Sequence, residues 1–447
     1  MKLTIVGAGS SRLPLMLASV AQAARGCALS EVALFDVRPE RVRALLPVAL
    51  ALAPECGALP PVRVHDRAQE ALDGAAAVIF TIRPGFEEAR ASDERACLRL
   101  GVIGQETTGP AGFAFASRSL PAVADYCRIA IASNPSCLLA IFTNPAGLVT
   151  QGLHRLGFQG AVGVCDSANV AVNAVARRAG VDPARADFEV YGLNHLSWTR
   201  RVEADGRDIL ALALADDAFL ASAFPAFAPS EVRAQARIPV EYLWYFRRPA
   251  EALAAMLAEP ETRGEQVART NAAMLADVGT LARQGRVSEA LVRYAAYLTD
   301  RQATYMDYAR RDHAAAEGPA GPAEAIARLK GWVGGYAEVA MDLLAGRSGA
   351  APRLMALNVA NRGAIPGLAD DDVVETDCVV SAAGVSPRPH GALPADDMDL
   401  VGRVKEYERL AVRSILEGSR GLAEDALAAH PLVDSRARAR ALVAALV

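Results

Sequence analysis

The chain has 447 residues, 52% hydrophobic and 22% charged, with 47 basic and 51 acidic side chains and a net charge of −4. That length predicts two domains, and the composition excludes a disordered chain. The balanced charge excludes a dedicated nucleic-acid binder, and no stretch approaches the ~20 apolar residues a membrane-spanning helix needs.

The opening apolar run Leu3–Val6 is too short for the core of a signal peptide, so a cytoplasmic location is expected. The same run reads as a strand, followed by Gly7-Ala8-Gly9-Ser10-Ser11 and a helix to about Ala24. Glu31–Phe35 is a second strand ending in Asp36. Ala75–Ile82 ends at Arg83, Cys137–Thr143 at Asn144-Pro145, and Ala161–Val164 at Cys165-Asp166. Continuous apolar runs separated by helical patterns predict a parallel sheet covered on both faces, a doubly wound α/β domain.

Beyond about residue 170 the texture changes. Phe188–Glu203 is rich in β-branched and aromatic residues and closes on Asp205-Gly206, a hairpin turn signal. Helical patterns follow across 249–309 and 321–346, with a loop expected at 311–324 and further loops at Gly363–Pro366 and Val385–Pro394. The tail from Met398 is helical. The expected division is 1–170, a Rossmann-like dinucleotide-binding domain, and 171–447, an α+β substrate domain. The seven cysteines are scattered without a CxxC pair, which argues against a disulfide scaffold.

Gly7-x-Gly9 after a first strand is the opening of a dinucleotide fingerprint, in which the backbone approaches a pyrophosphate at a helix N-terminus. The third glycine is absent, its place taken by Arg12. Asp36 stands where a carboxylate accepts from a ribose 2′-hydroxyl. Arg83, Asn144 and Cys165 each follow a strand, the edge at which open parallel sheets bind ligands. Cys165 and His195, 30 residues apart, are able to share a divalent metal, although a buried cysteine and a satisfied histidine are the commoner readings. Tyr242 and Tyr245 share a helix face, which more often signals packing than catalysis.

Together these residues resemble glycoside hydrolase family 4, the NAD- and metal-dependent glycosidases, and especially its 6-phospho-β-glucosidases. The resemblance runs through GxGSS, the segment from Arg83, Asp93-Glu94, Gly104-Gln105-Glu106-Thr107-Thr108-Gly109-Pro110 and Thr143-Asn144-Pro145. It continues through Gly192-Leu193-Asn194-His195-Leu196, Pro239-x-x-Tyr242-Leu243, Gly334-Gly335-Tyr336-x-Glu338 and Leu357-Asn358-Val359-x-Asn361-Arg362-Gly363. It implies a Rossmann-like sheet followed by a lactate/malate-dehydrogenase-like α+β domain, assembled as a homodimer or homotetramer. NAD⁺ oxidises the sugar at C3, a base removes the acidified C2 proton, the C1 substituent is eliminated, water adds and the ketone is reduced again.

By resemblance, Cys165 and His195 match the ligands of Mn²⁺ or another divalent metal, and Tyr242 matches the base. Gly7, Gly9, Ser10, Ser11, Asp36 and Asn144 serve the NAD. Asn144, Glu106 and Asn194 face the sugar, and Arg83, Arg90 and Arg263 its phosphate. Asp166 stands where α-specific members carry a general acid. Three features depart from the family pattern: Phe86 in Pro84-Gly85-Phe86 replaces a glycine, Cys165-Asp166-Ser167-Ala168 lacks the usual proline and the asparagine of β-specific members, and Trp244 replaces an arginine. The alternatives are a member acting on a non-phosphorylated or α-linked glycoside, a plain NAD-dependent dehydrogenase, and an inactive NAD-binding homologue.

Overall fold

The computed structural model describes residues 1–309, 317–333, 336–349 and 351–447. Gly334 and Gly335 of the late glycine motif, and residues 311–316 of the expected loop, lie outside the described residues.

Six strands of the first third pair in parallel: β1 (Lys2–Val6), β2 (Glu31–Phe35), β3 (Val62–His65), β4 (Ala77–Phe80), β5 (Leu138–Ile141) and β6 (Ala161–Gly163). Their spatial order is β3-β2-β1-β4-β5-β6, the two-half arrangement whose crevice lies where the order reverses beside β1. Residues such as Ile5, Val6, Leu34, Val78, Phe80 and Ile141 are fully or almost fully buried because helices cover both faces. β3 was not expected. It is an edge strand whose Val62-Arg63-Val64-His65 run leaves side chains in solvent, so it lacks a continuous apolar signal.

In the second half, β7 (Asp187–Leu193) and β8 (Leu196–Ala204) form an antiparallel hairpin. Its turn is Asn194-His195; Asp205-Gly206 instead joins β8 to the short β9 (Arg207–Asp208). β10 (Ile238–Pro239) pairs on the other side of β8. Then β11 (Arg353–Ala360), β12 (Val373–Ser381) and β13 (Gly384–Pro387) run antiparallel to one another. β11 joins β6 through Asn358 and Gly163, extending the main sheet to nine strands. The expected loop Val385–Pro394 therefore begins as strand, with Val385 paired to Val380.

The helices also cross between the halves. Arg263–Arg283 and Val287–Ala303 pack on Pro39–Leu52, and Tyr336–Arg347 packs on Leu13–Cys27. One hydrophobic core thus combines Leu3, Ile5 and Leu34 with Met274, Leu291 and Leu343. Another gathers Tyr191 and Trp198 with the C-terminal helices Ala395–Glu417, Arg420–Ala429 and Arg436–Leu446. No helix among the described residues is long and apolar enough to cross a membrane.

The turn after β1 depends on Gly7. Its φ is +96°, and a Cβ there would lie 2.6 Å from the Thr81 carbonyl oxygen at the end of β4. Gly7→Ala therefore meets both left-handed backbone strain and a backbone clash. It should lower unfolding free energy by about 2–4 kcal/mol in urea denaturation.

Candidate active site

A cavity of about 430 Å³ opens at the carboxyl edge of the parallel strands. Gly7, Gly9, Ser10, Ser11, Asp36, Arg83, Arg90, Glu106 and Asn144 all line it, so nine of the candidate residues meet in one cleft. Gly9 donates to Asp36 Oδ2 at 2.7 Å and Arg38 N donates to Oδ1 at 2.8 Å. Burial raises the Asp36 pKa, and the two backbone donors oppose that shift. A Cβ on Gly9 would sit 2.8 Å from Asp36 Oδ2, so the close approach of turn and acid requires glycine. Ser11 is held from the other half of the chain: Tyr294 Oη donates to its carbonyl at 2.8 Å and Tyr297 Oη to its hydroxyl at 3.3 Å. This glycine cradle, with an acid at the end of β2, fits a dinucleotide.

The charged wall is built by helix Phe86–Arg99 and the segment after it. Arg83 and Arg90 both pair with Glu106, at 2.5 and 2.9 Å, and Arg90 also pairs with Glu94 at 2.7 Å. Burial alone would raise the Glu106 pKa; the Arg83 and Arg90 charges outweigh it and hold the group down at about 2. Arg263 begins the helix Arg263–Arg283, which is fixed by a capping box between Thr262 and Glu265. Its guanidinium donates to Thr304 Oγ1 at 2.8 Å and to the Arg301 carbonyl at 2.9 Å. Burial, then the charges of Arg301 and Arg90, push the Arg263 pKa down to about 10. Arg301 lines the cavity and donates to Tyr297 Oη at 2.7 Å. Among the described residues neither Arg263 nor Arg301 has a carboxylate within salt-bridge distance.

Phe86, the departure from the glycine pattern, has φ +57° and stacks under the Arg38 guanidinium, 3.3 Å from its ring centroid. The ring is thereby drawn toward the helix after β2. Arg83 stays paired to Glu106 and lies over Phe115, 4.6 Å from the ring centroid.

Cys165 and His195 lie in a second, more buried group. Cys165 follows β6 and is 3% exposed. His195 occupies the hairpin turn with φ +62°. Burial lowers the His195 pKa to about 4, leaving a neutral ring whose Nδ1 is 2.8 Å from Thr107 Oγ1. Burial raises the Cys165 pKa well above its usual value, and Glu375, Asp166 and Glu241 add to it in that order. A thiol beside carboxylates becomes a thiolate only when a cation is present, and a neutral imidazole is a suitable ligand for the same cation. Among the described residues no three His, Cys, Asp or Glu side chains converge to form a closed metal cage. These residues therefore fit a metal held by two protein ligands, with the rest of its coordination left to substrate and water.

Tyr242 stacks on His195, with centroids 3.9 Å apart and rings 15° from parallel. It stands at the N-cap of the short helix Leu243–Arg247, within electrostatic reach of Arg90. Tyr242 and Tyr245 are both buried, as a packing pair would be, but each hydroxyl has a tyrosine partner across the site. Burial and the neighbouring Tyr308 push the Tyr245 pKa well up, which disfavours Tyr245 as a base. Asp166 is half-buried; burial raises its pKa and the Arg12 charge opposes that. Asn194 accepts from Gly147 N at 3.4 Å, beside the Asn144-Pro145 segment.

Sequence reasoning missed Arg12, Arg41, Asn271, Arg301, Glu241 and Glu375. Arg41, Asn271 and Arg301 lie on helical segments whose only local signal is amphipathic periodicity. Glu241 is a half-buried carboxylate in a strand-to-helix turn and Glu375 a buried one in β12.

The doubly wound sheet, the glycine turn and the cleft at its carboxyl edge define an α/β enzyme of dinucleotide-binding architecture. The model described as family 4 glycosyl hydrolase matches residues 2–181, and that of the family 4 glycosyl hydrolase C-terminal domain matches 190–433. A probable 6-phospho-β-glucosidase of Bacillus subtilis is 27% identical over 97% of this chain and 93% of its own. The 6-phospho-β-glucosidase structure from Thermotoga maritima with manganese, NAD⁺ and glucose-6-phosphate superposes with a TM-score of 0.81 at 23% identity, covering 100% of this chain and 97% of that one. A lactate dehydrogenase from a Medee basin deep-sea metagenome library superposes with a TM-score of 0.53 at 10% identity, over 93% and 98% of the two chains, which places the fold beside that of lactate dehydrogenases. The chain belongs to the family 4 glycosyl hydrolases.

Glu375 generates a stability test. It is 1% exposed and accepts from Ser197 Oγ at 2.6 Å and Asn358 Nδ2 at 3.2 Å, while burial raises its pKa to about 7. Glu375→Ala leaves buried donors unpaired and should cost about 2–4 kcal/mol in urea denaturation. Glu375→Gln keeps the shape without a buried charge and should cost markedly less.

Proposed function

We propose that the protein hydrolyses 6-phospho-β-glucosides, using NAD⁺ and a divalent metal, with Mn²⁺ the leading candidate. The observation that carries this reading is the excess of guanidinium beside the dinucleotide cradle. Arg83 and Arg90 share Glu106 and Glu94, whereas Arg263 and Arg301 have only neutral partners among the described residues. A buried arginine whose pKa is lowered by desolvation, and further by neighbouring cations, is stabilised by a dianion such as a sugar phosphate. Phe86 lines the same cleft and stacks under Arg38.

Bound NAD⁺ supplies reversible hydride removal at the sugar C3, and a metal held by Cys165 and His195 supplies a Lewis acid to the adjacent oxygens. Gly7, Gly9, Ser10 and Ser11 cradle the pyrophosphate, and Asp36 accepts from the adenosine ribose. Asn144, Glu106 and Asn194 hold the sugar hydroxyls. Arg83, Arg90, Arg263 and Arg301 hold the phosphate. Tyr242 takes the C2 proton, aided by the Arg90 charge. Asp166, its pKa raised by burial, donates to the leaving oxygen.

The second reading is an α-linked substrate, favoured by that desolvated carboxyl next to Cys165, because an acid there matches the α-type members. A homodimer or homotetramer in the cytoplasm, divided at 170/171, completes the proposal by resemblance to the family. The family models fall either side of a similar point, ending at 181 and starting at 190.

The test is a panel of nitrophenyl glycosides, phosphorylated and not, in both anomers, with NAD⁺ and Mn²⁺. The β-linked 6-phosphate should turn over fastest. Cys165→Ser and His195→Ala should abolish turnover while NAD⁺ binding survives in a direct titration; full activity of both variants in chelator would remove the metal reading. Arg301→Gln should raise KM for the phosphorylated glycoside about 10–100-fold, the worth of a charge-assisted hydrogen bond, and leave any activity on the non-phosphorylated glycoside unchanged. Equal effects on both substrates would place Arg301 outside the phosphate site.

A further inference from the structure

The helix Val287–Ala303 delivers more than Arg301 to the site. Immediately after it come Tyr305 and, within the short turn Asp307–Ala309, Tyr308. This pair, three residues apart, meets the other tyrosines spaced by three. Tyr308 Oη shares a hydrogen bond with Tyr245 Oη, and Tyr305 Oη donates to Tyr242 Oη at 2.7 Å. Tyr305 Oη also lies 3.3 Å from Glu241 Oε1, which accepts from Ser167 Oγ at 3.0 Å beside the Cys165-Asp166 segment. The Tyr305 hydroxyl is within donor reach of both oxygens and lies nearer to that of Tyr242.

The consequence for Tyr242 is geometric. His195 covers a face of its ring and Tyr245 lies 6.5 Å from it, centroid to centroid. The stack fixes the ring plane, and the Tyr305 hydroxyl occupies one acceptor direction of the Tyr242 oxygen. The remaining acceptor capacity is then held in a constant orientation, which proton abstraction requires.

We propose that Tyr305 is a positioning residue for the reaction: its hydroxyl, donated to the Tyr242 oxygen, holds that oxygen as the acceptor of the substrate proton. The proposal rests on the reading of Tyr242 as the base. Tyr305 lies 63 positions from Tyr242 in sequence, on a segment that none of the family-resembling motifs includes.

Tyr305→Phe keeps the ring and deletes the donor, and a double-mutant cycle with Tyr242→Phe separates positioning from packing. In the otherwise native enzyme, with the β-linked nitrophenyl 6-phosphoglucoside, NAD⁺ and Mn²⁺, kcat should fall about 10–100-fold, the worth of a hydrogen bond to a charged acceptor. KM and the NAD⁺ dissociation constant should stay within about twofold. In the Tyr242→Phe background the same substitution should change kcat by less than about twofold, because the oxygen it serves is gone. An unchanged kcat for Tyr305→Phe, or an equal loss in both backgrounds, would overturn the proposal and leave Tyr305 a packing residue. If Tyr242→Phe alone keeps full activity, the base assignment fails and the role of Tyr305 fails with it. If Tyr242→Phe is inactivated about 10²–10⁴-fold and Tyr305→Phe is not affected, only the role of Tyr305 is lost.

Discussion

The buried carboxylate of Glu375 joins the two sheets where the site is made. It stands on β12 of the nine-stranded sheet and accepts from Asn358 on β11 of that sheet and from Ser197 on β8 of the four-stranded one. β11 is in turn registered on β6 through Asn358 and Gly163, and β6 leads directly to Cys165. β8 begins directly after His195. The position of the hairpin turn relative to the parallel sheet, and so of the imidazole relative to the thiol, depends on this polar join. Desolvating a carboxylate is costly, and the raised pKa is the trace of that cost. An apolar pair would be cheaper to bury but would not specify the register.

The site that results has two electrostatic poles. On one side Arg83, Arg90, Arg263 and Arg301 exceed their acidic partners, and burial, with the Arg301 and Arg90 charges adding to it, lowers the Arg263 pKa. On the other, Cys165 is surrounded by the carboxylates of Glu375, Asp166 and Glu241, which raise its pKa beyond what burial does. Neither pole is balanced by protein alone. An anion on the first and a cation on the second relieve both, and a sugar carrying a phosphate at one end and chelating hydroxyls at the other spans them. Tyr242 lies between the poles, stacked on His195 and coupled to Arg90. Under the proposed function, substrate and metal would each offset a field that the protein leaves open.

Much of the parallel sheet was legible because a strand buried on both faces must be apolar throughout. Leu3–Val6, Glu31–Phe35, Ala75–Ile82, Cys137–Thr143 and Ala161–Val164 coincide with β1, β2, β4, β5 and β6 to within a few residues. β11 and β12 were not legible. Their site-facing and core positions carry Asn358, Glu375 and Asp377, which interrupt the hydrophobic alternation that marks a half-buried strand. The hairpin was expected, but its decisive turn is Asn194-His195, not Asp205-Gly206: His195 adopts a left-handed conformation that only the three-dimensional site rewards. Gly7, Gly9, Asp36, Asn144 and Arg83 converge as their places at strand ends implied, joined by Arg90 and Glu106, which only the resemblance had pointed to. Arg301, Tyr305 and Glu375 act through partners far away in sequence, and no local pattern distinguishes them from an ordinary helix face, a loop tyrosine or a strand residue.

The proposed reaction turns on removal of the C2 proton, which the reading of Tyr242 as the base requires. The most direct measurement is hydrolysis of a β-linked nitrophenyl 6-phosphoglucoside in D₂O with NAD⁺ and Mn²⁺, followed by NMR of the released sugar phosphate. Elimination discards the original proton and the return step takes one from solvent, so the product should carry deuterium at C2. Released sugar phosphate that keeps its C2 hydrogen in full would contradict the account and point to hydrolysis by attack at C1 alone.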